Sequence, residues 1–361
     1  MGARVTIADV AARAGVSIST VSLVLNNKPT RISEETRERV RQAAQDIGYS
    51  PNKVAQGLRR RLTHTLGLIS DSIATTPYAG QMLAGAQDVA RENGYMLFLV
   101  DTGADPEMEE DAIAQMRAQQ VDALIFAAMW HREVSPPSNL PKKAVYLDCF
   151  SHEAPRPSVI PDEVAGGRAA VQHLVDAGHT RIAYVDVDEG VPPVASELRH
   201  RGYLAVHEEH DLPVDPALHV KGASTHDGGR QAAEQLLALP ASQRPTAIFC
   251  FNDRMAAGLY TALRCHGLNV PTDMSVVGYD DQQLVAAELY PPLTTVALPH
   301  YEMGKWAAQV ALGIRAHAAS DAPYLMPCPL ITRESVASPP VGAPTHPGGE
   351  ASKKHKGDHS F

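Results

Sequence analysis

Apolar positions near the start of the chain recur at helical spacing. Ile7, Val10, Ala11 and Ala14 fall on one face. Thr6 and Asp9, three residues apart, have capping-box spacing, which lets each side chain accept from an orphan backbone N–H. Gly15 provides the backbone freedom of a tight turn. Ser17 is placed to cap a second helix with Val21, Val24 and Leu25 inward. A third helix is predicted from a Ser33 cap to about Ile47, with Val40, Ala44 and Ile47 inward and Gly48 ending it. Two short helices joined through a glycine turn and closed by a third match a helix-turn-helix.

From Thr65 the pattern changes to short apolar runs separated by amphipathic stretches. Strands are expected at Leu66–Ser70, Tyr95–Val100, Ala123–Ala127, Ala144–Leu147, Ile182–Val187, Ala247–Phe251 and Ser275–Gly278. Helices such as Gln81–Asn93 and Asp253–His266 lie between them. Alternation of this kind implies α/β architecture with parallel, doubly wound sheets. The 361 residues suggest two or three domains, and the long body is too much for one small sheet, so two lobes are expected. The longest apolar run, Ala123–Trp130, is far short of the roughly 18–20 residues a membrane helix needs. No long apolar stretch follows the first charges, as a secretory signal would require. Four cysteines without C-x-x-C spacing suggest a reducing compartment, with no disulfide framework and no cysteine zinc site. A cytoplasmic chain is the expectation.

Charge adds the first functional clue. The net charge is −9, yet residues 1–61 hold eleven basic and five acidic residues. A basic head on an acidic body suggests that the head meets a polyanion. The second helix carries the matching chemistry. Ser17, Ile18, Ser19, Thr20 and Ser22 put short polar groups at a helix N-terminus, suited to phosphates and base edges in a major groove. Ile18 should point outward, where it could meet a thymine methyl.

T-I-x-D-V-A-x-x-A-G-V-S-x-x-T-V-S-x-V-L-N from Thr6, I-S-x-E-T-R-x-R-V from Ile32 and G-Y-x-P-N-x-x-A from Gly48 closely resemble the lactose-repressor/galactose-repressor (LacI/GalR) family of bacterial transcription regulators. The likeness is near continuous over residues 6–58 and extends over most of 6–336. It implies a three-helix headpiece (1–49), a hinge helix (50–62), a periplasmic-binding-protein-like core of two Rossmann-like lobes (63–336) and a disordered tail (337–361). It also implies a homodimer on a near-palindromic double-stranded operator. One position departs from the pattern: Leu23 stands where many members have an arginine that can read guanine. The expected DNA-contacting set is Thr6, Ser17, Ile18, Ser19, Thr20, Ser22, Leu23, Asn26, Tyr49, Asn52, Ala55, Leu58 and Arg59. In the hinge, S-P-N-K-V-A-Q-G-L-R-R-R is too short to hold a helix alone in water. The resemblance implies that it orders on DNA and that Leu58 wedges between base pairs in the minor groove.

Ligands of doubly wound sheets bind at the carboxyl ends of the strands. Polar residues expected there are Ser70, Asp71 and Ser72, then Asp148, Asn252, Asp253, Asp280 and Asp281, with Arg199 in E-L-R-H-R-G-Y resembling the family's effector motif. The expected effector set is Ser70, Tyr78, Asp148, Arg199, Asn252 and Asp280. Tyr78 and Trp130 follow strands and could stack on a ring. Such groups suit a sugar-like, polyhydroxylated ligand or one with an anionic group. The stretch 222–226, Gly-Ala-Ser-Thr-His, lacks the aromatic residue many members carry, which favours hydroxyls over a flat purine.

Several patterns point elsewhere and are set aside. H-E-E-H at 207–210 has metal-pair spacing but reads as a solvated helix face. No Walker loop and no G-x-G-x-x-G after a strand is present. No cofactor, metal or enzymatic activity is expected. The tail has no leucine heptad to join dimers into a tetramer. The helix after Pro77, about Ala79–Glu92, is a candidate for part of the subunit contact. Two rivals remain open: a sugar-sensing module without operator binding, and an enzyme on a doubly wound fold.

Overall fold

The computed structural model describes residues 5–26, 31–49, 62–73, 80–188, 190, 193–317 and 322–340. Contacts divide the chain into two units, 1–64 and 65–361.

In the first unit, α1 (Ile7–Ala14), α2 (Ile18–Leu25) and α3 (Glu34–Asp46) enclose a small core of Val10, Ala11, Ala14, Val21, Val24, Val40, Ala43 and Ala44. Each start follows from local chemistry. The Asp9 carboxylate accepts from the Thr6 N–H at 2.8 Å and the Thr6 hydroxyl at 2.7 Å. Ser17 Oγ accepts from Thr20 N–H at 3.1 Å, and Ser33 Oγ from Thr36 N–H at 3.3 Å. Gly15 sits at φ 66°, the left-handed turn that glycine adopts without cost, and the chain bends by 103° between α1 and α2.

The second unit holds two parallel sheets. The first contains β1 (Thr65–Ser70), β2 (Met96–Asp101), β3 (Ala123–Glu133), β4 (Val145–Phe150), β5 (Ser158–Pro161) and β11 (Tyr324–Met326), in the order β11-β5-β4-β3-β1-β2. The second contains β6 (Ile182–Val187), β7 (His219–Gly222), β8 (Ala247–Cys250), β9 (Ser275–Asp280), β10 (Thr294–Ala297) and β12 (Leu330–Ile331), in the order β12-β10-β9-β8-β6-β7. Among the described residues only the β10–β12 pair is antiparallel. Helices α4 (Gly80–Glu92), α5 (Pro106–Ala118), α6 (Glu163–Asp176), α7 (Val194–Glu209), α8 (His226–Leu237), α9 (Asp253–Cys265) and α10 (His300–Ala311) cover the faces. The chain crosses between sheets three times: after β5, between β10 and α10, and between β11 and β12. Each lobe is thus built from separated segments, and three strands of chain join them.

One expectation is corrected here. β3 does not stop at Ala127 but continues to Glu133, so Trp130 lies within a strand rather than after one. The apolar face of α4 is used inside the chain, packing on α10, where Gly85 lies so close that a Cβ would be 2.0 Å from Tyr301 O.

Close helix packing also joins α8 to α9. A Cβ on Gly258 would fall 1.7 Å from His226 O, and one on Gly229 would fall 2.0 Å from Met255 O. Since backbone cannot yield as a flexible side chain does, Gly258→Ala must push the helices apart. It is expected to destabilise the core by about 1–3 kcal/mol, the usual cost of overpacking. Urea unfolding reads this directly, and an unchanged midpoint would contradict the packing.

Candidate functional sites: a helical DNA face and a cleft between lobes

α2 carries no charged side chain. Its outer surface is Ile18, 52% exposed, with Ser19 exposed and Ser22 and Leu23 half-buried. Ser17 and Thr20 share their hydroxyls at 2.9 Å, and the Asn26 amide donates to Ser22 O at 2.6 Å. These contacts stiffen both ends of α2. Thr6 is exposed at the start of α1, and Tyr49 is half-buried against the headpiece core. The described bundle, 5–26 and 31–49, holds five basic and five acidic residues and is therefore neutral. The six surplus cations of the head are Arg4, Lys28, Lys53, Arg59, Arg60 and Arg61, all in flanking segments. Asn52, Ala55, Leu58 and Arg59 of the hinge lie outside the described residues, as does Tyr78.

An apolar Leu23 cannot make the two-pronged bond to guanine O6 and N7. Leu23→Arg is expected to shift preference toward guanine at one base pair by about 1–3 kcal/mol. Competition among half-sites differing at single positions measures it; an unchanged base profile would remove Leu23 from the reading surface.

In the core, the expected effector residues other than Tyr78 and Arg199 lie at the carboxyl ends of the strands. Ser70 ends β1, Asp148 lies in β4, Asn252 follows β8 and Asp280 ends β9. Asp148 has φ 57° and Asp280 φ 99°. Non-glycine residues held in this region carry backbone strain, which tends to concentrate where function needs it.

Arg199 of α7 organises the cluster. Its guanidinium is 3% exposed, with Nε 2.8 Å and Nη2 3.1 Å from the two oxygens of Glu163, Nη1 2.5 Å from Phe251 O and Nη2 3.5 Å from Asp280. Its faces lie on the rings of Tyr279 at 3.7 Å and Phe251 at 4.6 Å. Burial pushes the Asp280 carboxyl up to about 6, against the opposing pull of Arg199. Asn252 caps α9 through its Oδ1, which accepts from Met255 N–H at 2.9 Å, while its amide donates to Ser224 Oγ at 2.7 Å.

Asp253 does not cap α9. It is fully buried, accepts from Thr295 Oγ1 at 2.6 Å and Gln282 N–H at 2.7 Å, and so braces the turn that presents Asp280. The adjacent aspartates diverge: Asp280 faces Arg199, whereas Asp281 is held by Arg333 at 2.7 Å. In the H-E-E-H segment Glu208, Glu209 and His210 are exposed, as on a solvated face, and only His207 turns inward. His207 is buried with Nδ1 on Tyr203 O, whereas His210 meets Gln172.

The first lobe adds Arg132 and His131, which the sequence did not single out, to Ser70, Asp71 and Asp148, which it did. Arg132 pairs with Asp71 at 2.7 Å, and Ser70 Oγ donates to Asp71 Oδ1 at 3.1 Å. His131 and Asp148 are buried, and both are within electrostatic reach of Glu163 and Arg199 across the lobes. Glu163 gave no distinctive signal, because an acidic residue in a first helical turn is ordinary dipole chemistry.

Comparison with known proteins follows the same division. Residues 6–52 match the model of bacterial regulatory proteins of the lacI family, and residues 171–336 match a periplasmic binding protein-like domain. The chain is 34% identical over 306 residues to the HTH-type transcriptional regulator DegA of Bacillus subtilis strain 168, covering 83% of this chain and 88% of DegA. It is 32% identical over 339 residues to the HTH-type transcriptional repressor CytR of Escherichia coli strain K12, covering 93% and 97%. The crystal structure of the Lac repressor dimer bound to operator and the anti-inducer ONPF aligns with a TM-score of 0.71 at 28% identity, covering 93% of this chain and all of that one.

Proposed function

The chain belongs to the lacI family of bacterial regulatory proteins and is a DNA-binding transcriptional regulator; we propose that it works as a homodimer whose grip on a near-palindromic operator is set by a small polyhydroxylated metabolite held between the two lobes of its core. The observation that carries this is the pairing of an outward-facing, uncharged recognition helix with a buried polar cluster assembled from both lobes. Two headpieces would read half-sites in successive major grooves, with the hinge segments meeting at the centre.

Exposed apolar side chains support the dimer. β2 is an edge strand with Met96 at 63%, Phe98 at 40% and Leu99 at 37% exposure. An open, apolar sheet edge calls for a cover, and a second copy supplies one symmetrically. Among the described residues no single helix is long and apolar enough to cross a membrane.

The cleft side chains Ser70, Asp148, Arg199 and Asn252 are each at most 3% exposed, so a ligand enters only when the lobes part. Whatever angle the ligand then favours changes the spacing of the two hinges, and with it operator affinity. Couplings of about 1–3 kcal/mol correspond to an affinity change of about 5–150-fold. The test is to select an operator from random duplexes with the full chain, then titrate metabolites by fluorescence anisotropy. A ligand that stabilises the core yet leaves operator affinity unchanged would defeat this coupling.

A further inference from the structure

We propose that His131 is an effector-recognition residue, and that with Asp148 it selects an uncharged, hydroxyl-bearing ligand over a phosphorylated or carboxylated one. This rests on the effector-cleft reading above and narrows it.

The starting point is a bulge. β3 and β4 pair in step as far as Ala127 with Leu147, and pairing resumes at Arg132 with Cys149. β3 thus fits three extra residues into a stretch where β4 advances by two. Bulges of this kind re-aim side chains and are common beside sites. Here Trp130 is turned out, 52% exposed, while His131 is turned in, 4% exposed.

Buried polar side chains normally find partners. Neither ring nitrogen of His131 makes a hydrogen bond among the described residues, and neither does Asp148 Oδ1. The edge contact with Phe150, centroids 5.9 Å apart, supports the His131 ring without satisfying its nitrogens. Burial drives His131 toward its neutral form, with Glu163 and Arg199 pulling in opposite directions, and it raises the Asp148 carboxyl well above the usual range. A neutral imidazole has one donor and one acceptor, and so does a protonated carboxyl. A hydroxyl also donates and accepts, and matches both.

Arg199 and Arg132 give an anion no comparable opening. Arg199 is held by Glu163, Phe251 O and Asp280, and Arg132 by Asp71. Arg254 reaches Ser224 Oγ at 3.4 Å and lies within electrostatic reach of Asp280. At Arg199 or Arg132 a phosphate or carboxylate would have to displace a carboxylate already paired with the guanidinium, whereas a polyol need displace nothing.

The test is a thermal-shift titration of the full chain with matched compounds: ribose and ribose 5-phosphate, glucose with glucose 6-phosphate and gluconate, cellobiose, adenosine and adenosine 5′-phosphate. At least one uncharged compound should bind, at least tenfold more tightly than any charged counterpart. His131→Phe should keep the melting temperature of the wild type, since an apolar ring fills the same space, yet bind that compound at least tenfold more weakly. His131→Gln, which retains a donor and an acceptor, should recover part of the loss. Tighter binding of a charged member, or unchanged binding by His131→Phe, would overturn the inference while leaving the effector cleft intact. If no compound of either kind binds, the cleft reading fails and this inference fails with it.

Discussion

Raising the salt from about 50 to 200 mM is expected to weaken operator binding by about 10³–10⁵-fold, provided the dimer neutralises about 6–10 phosphates. The helical bundle brings no net positive charge, because the five basic side chains of its described residues are balanced by five acidic ones. The cations must come from the flanks: Arg4, Lys28, Lys53 and the Arg59–Arg60–Arg61 run, present twice in a dimer. Each arginine of that run that meets a phosphate should take about 1.8 off the log–log salt slope when replaced by alanine, about 0.9 for each of the two copies. Base preference should survive such changes, since phosphate contacts position the protein and do not read sequence. Deleting residues 1–61 should remove operator binding and leave ligand binding in place. Anisotropy titrations across the salt range check all of this. A flat response would show that the charge surplus has no part in binding.

Arg199→Ala is expected to cost the core about 3–5 kcal/mol, because it leaves Glu163, only 2% exposed, as an unpaired buried charge. The same change should abolish ligand-induced stabilisation, which for a ligand at 100 times its dissociation constant is about 2.7 kcal/mol in the wild type. Arg199→Lys should rescue little, since an ammonium cannot reproduce the two-pronged contact with Glu163 or lie flat on Tyr279. Adding Glu163→Gln to Arg199→Ala should recover part of the stability by removing the stranded charge. Urea unfolding followed by tryptophan fluorescence measures each variant. A loss below about 1 kcal/mol for Arg199→Ala would mean that Glu163 reaches water or protonates freely, and the buried pair would not organise the cleft.

Much of the local structure was legible from residue type and spacing. Ser17, Ser33 and Gly15 act within a few residues of themselves, so their roles as caps and turn are written in the sequence. The parallel strands were legible because strands buried on both faces read as near-continuous apolar runs, as Leu66–Ile69 and Ile182–Val185 do within β1 and β6. Short strands such as Ser158–Pro161 and Leu330–Ile331 were missed as strands, because only their neighbours in the sheet make them so.

By itself, the sequence determined a basic head of three capped helices, an acidic body of two parallel-sheet lobes, and polar residues at the strand ends. Those properties depend on period, charge and capping, all of which act over a few residues. The tertiary structure alone decided that Glu163 meets Arg199, that Asp281 turns away from Asp280, and that a bulge turns His131 inward and Trp130 out. Each of these depends on side chains tens of residues apart sharing one low-dielectric space. No local pattern encodes which charges will share it.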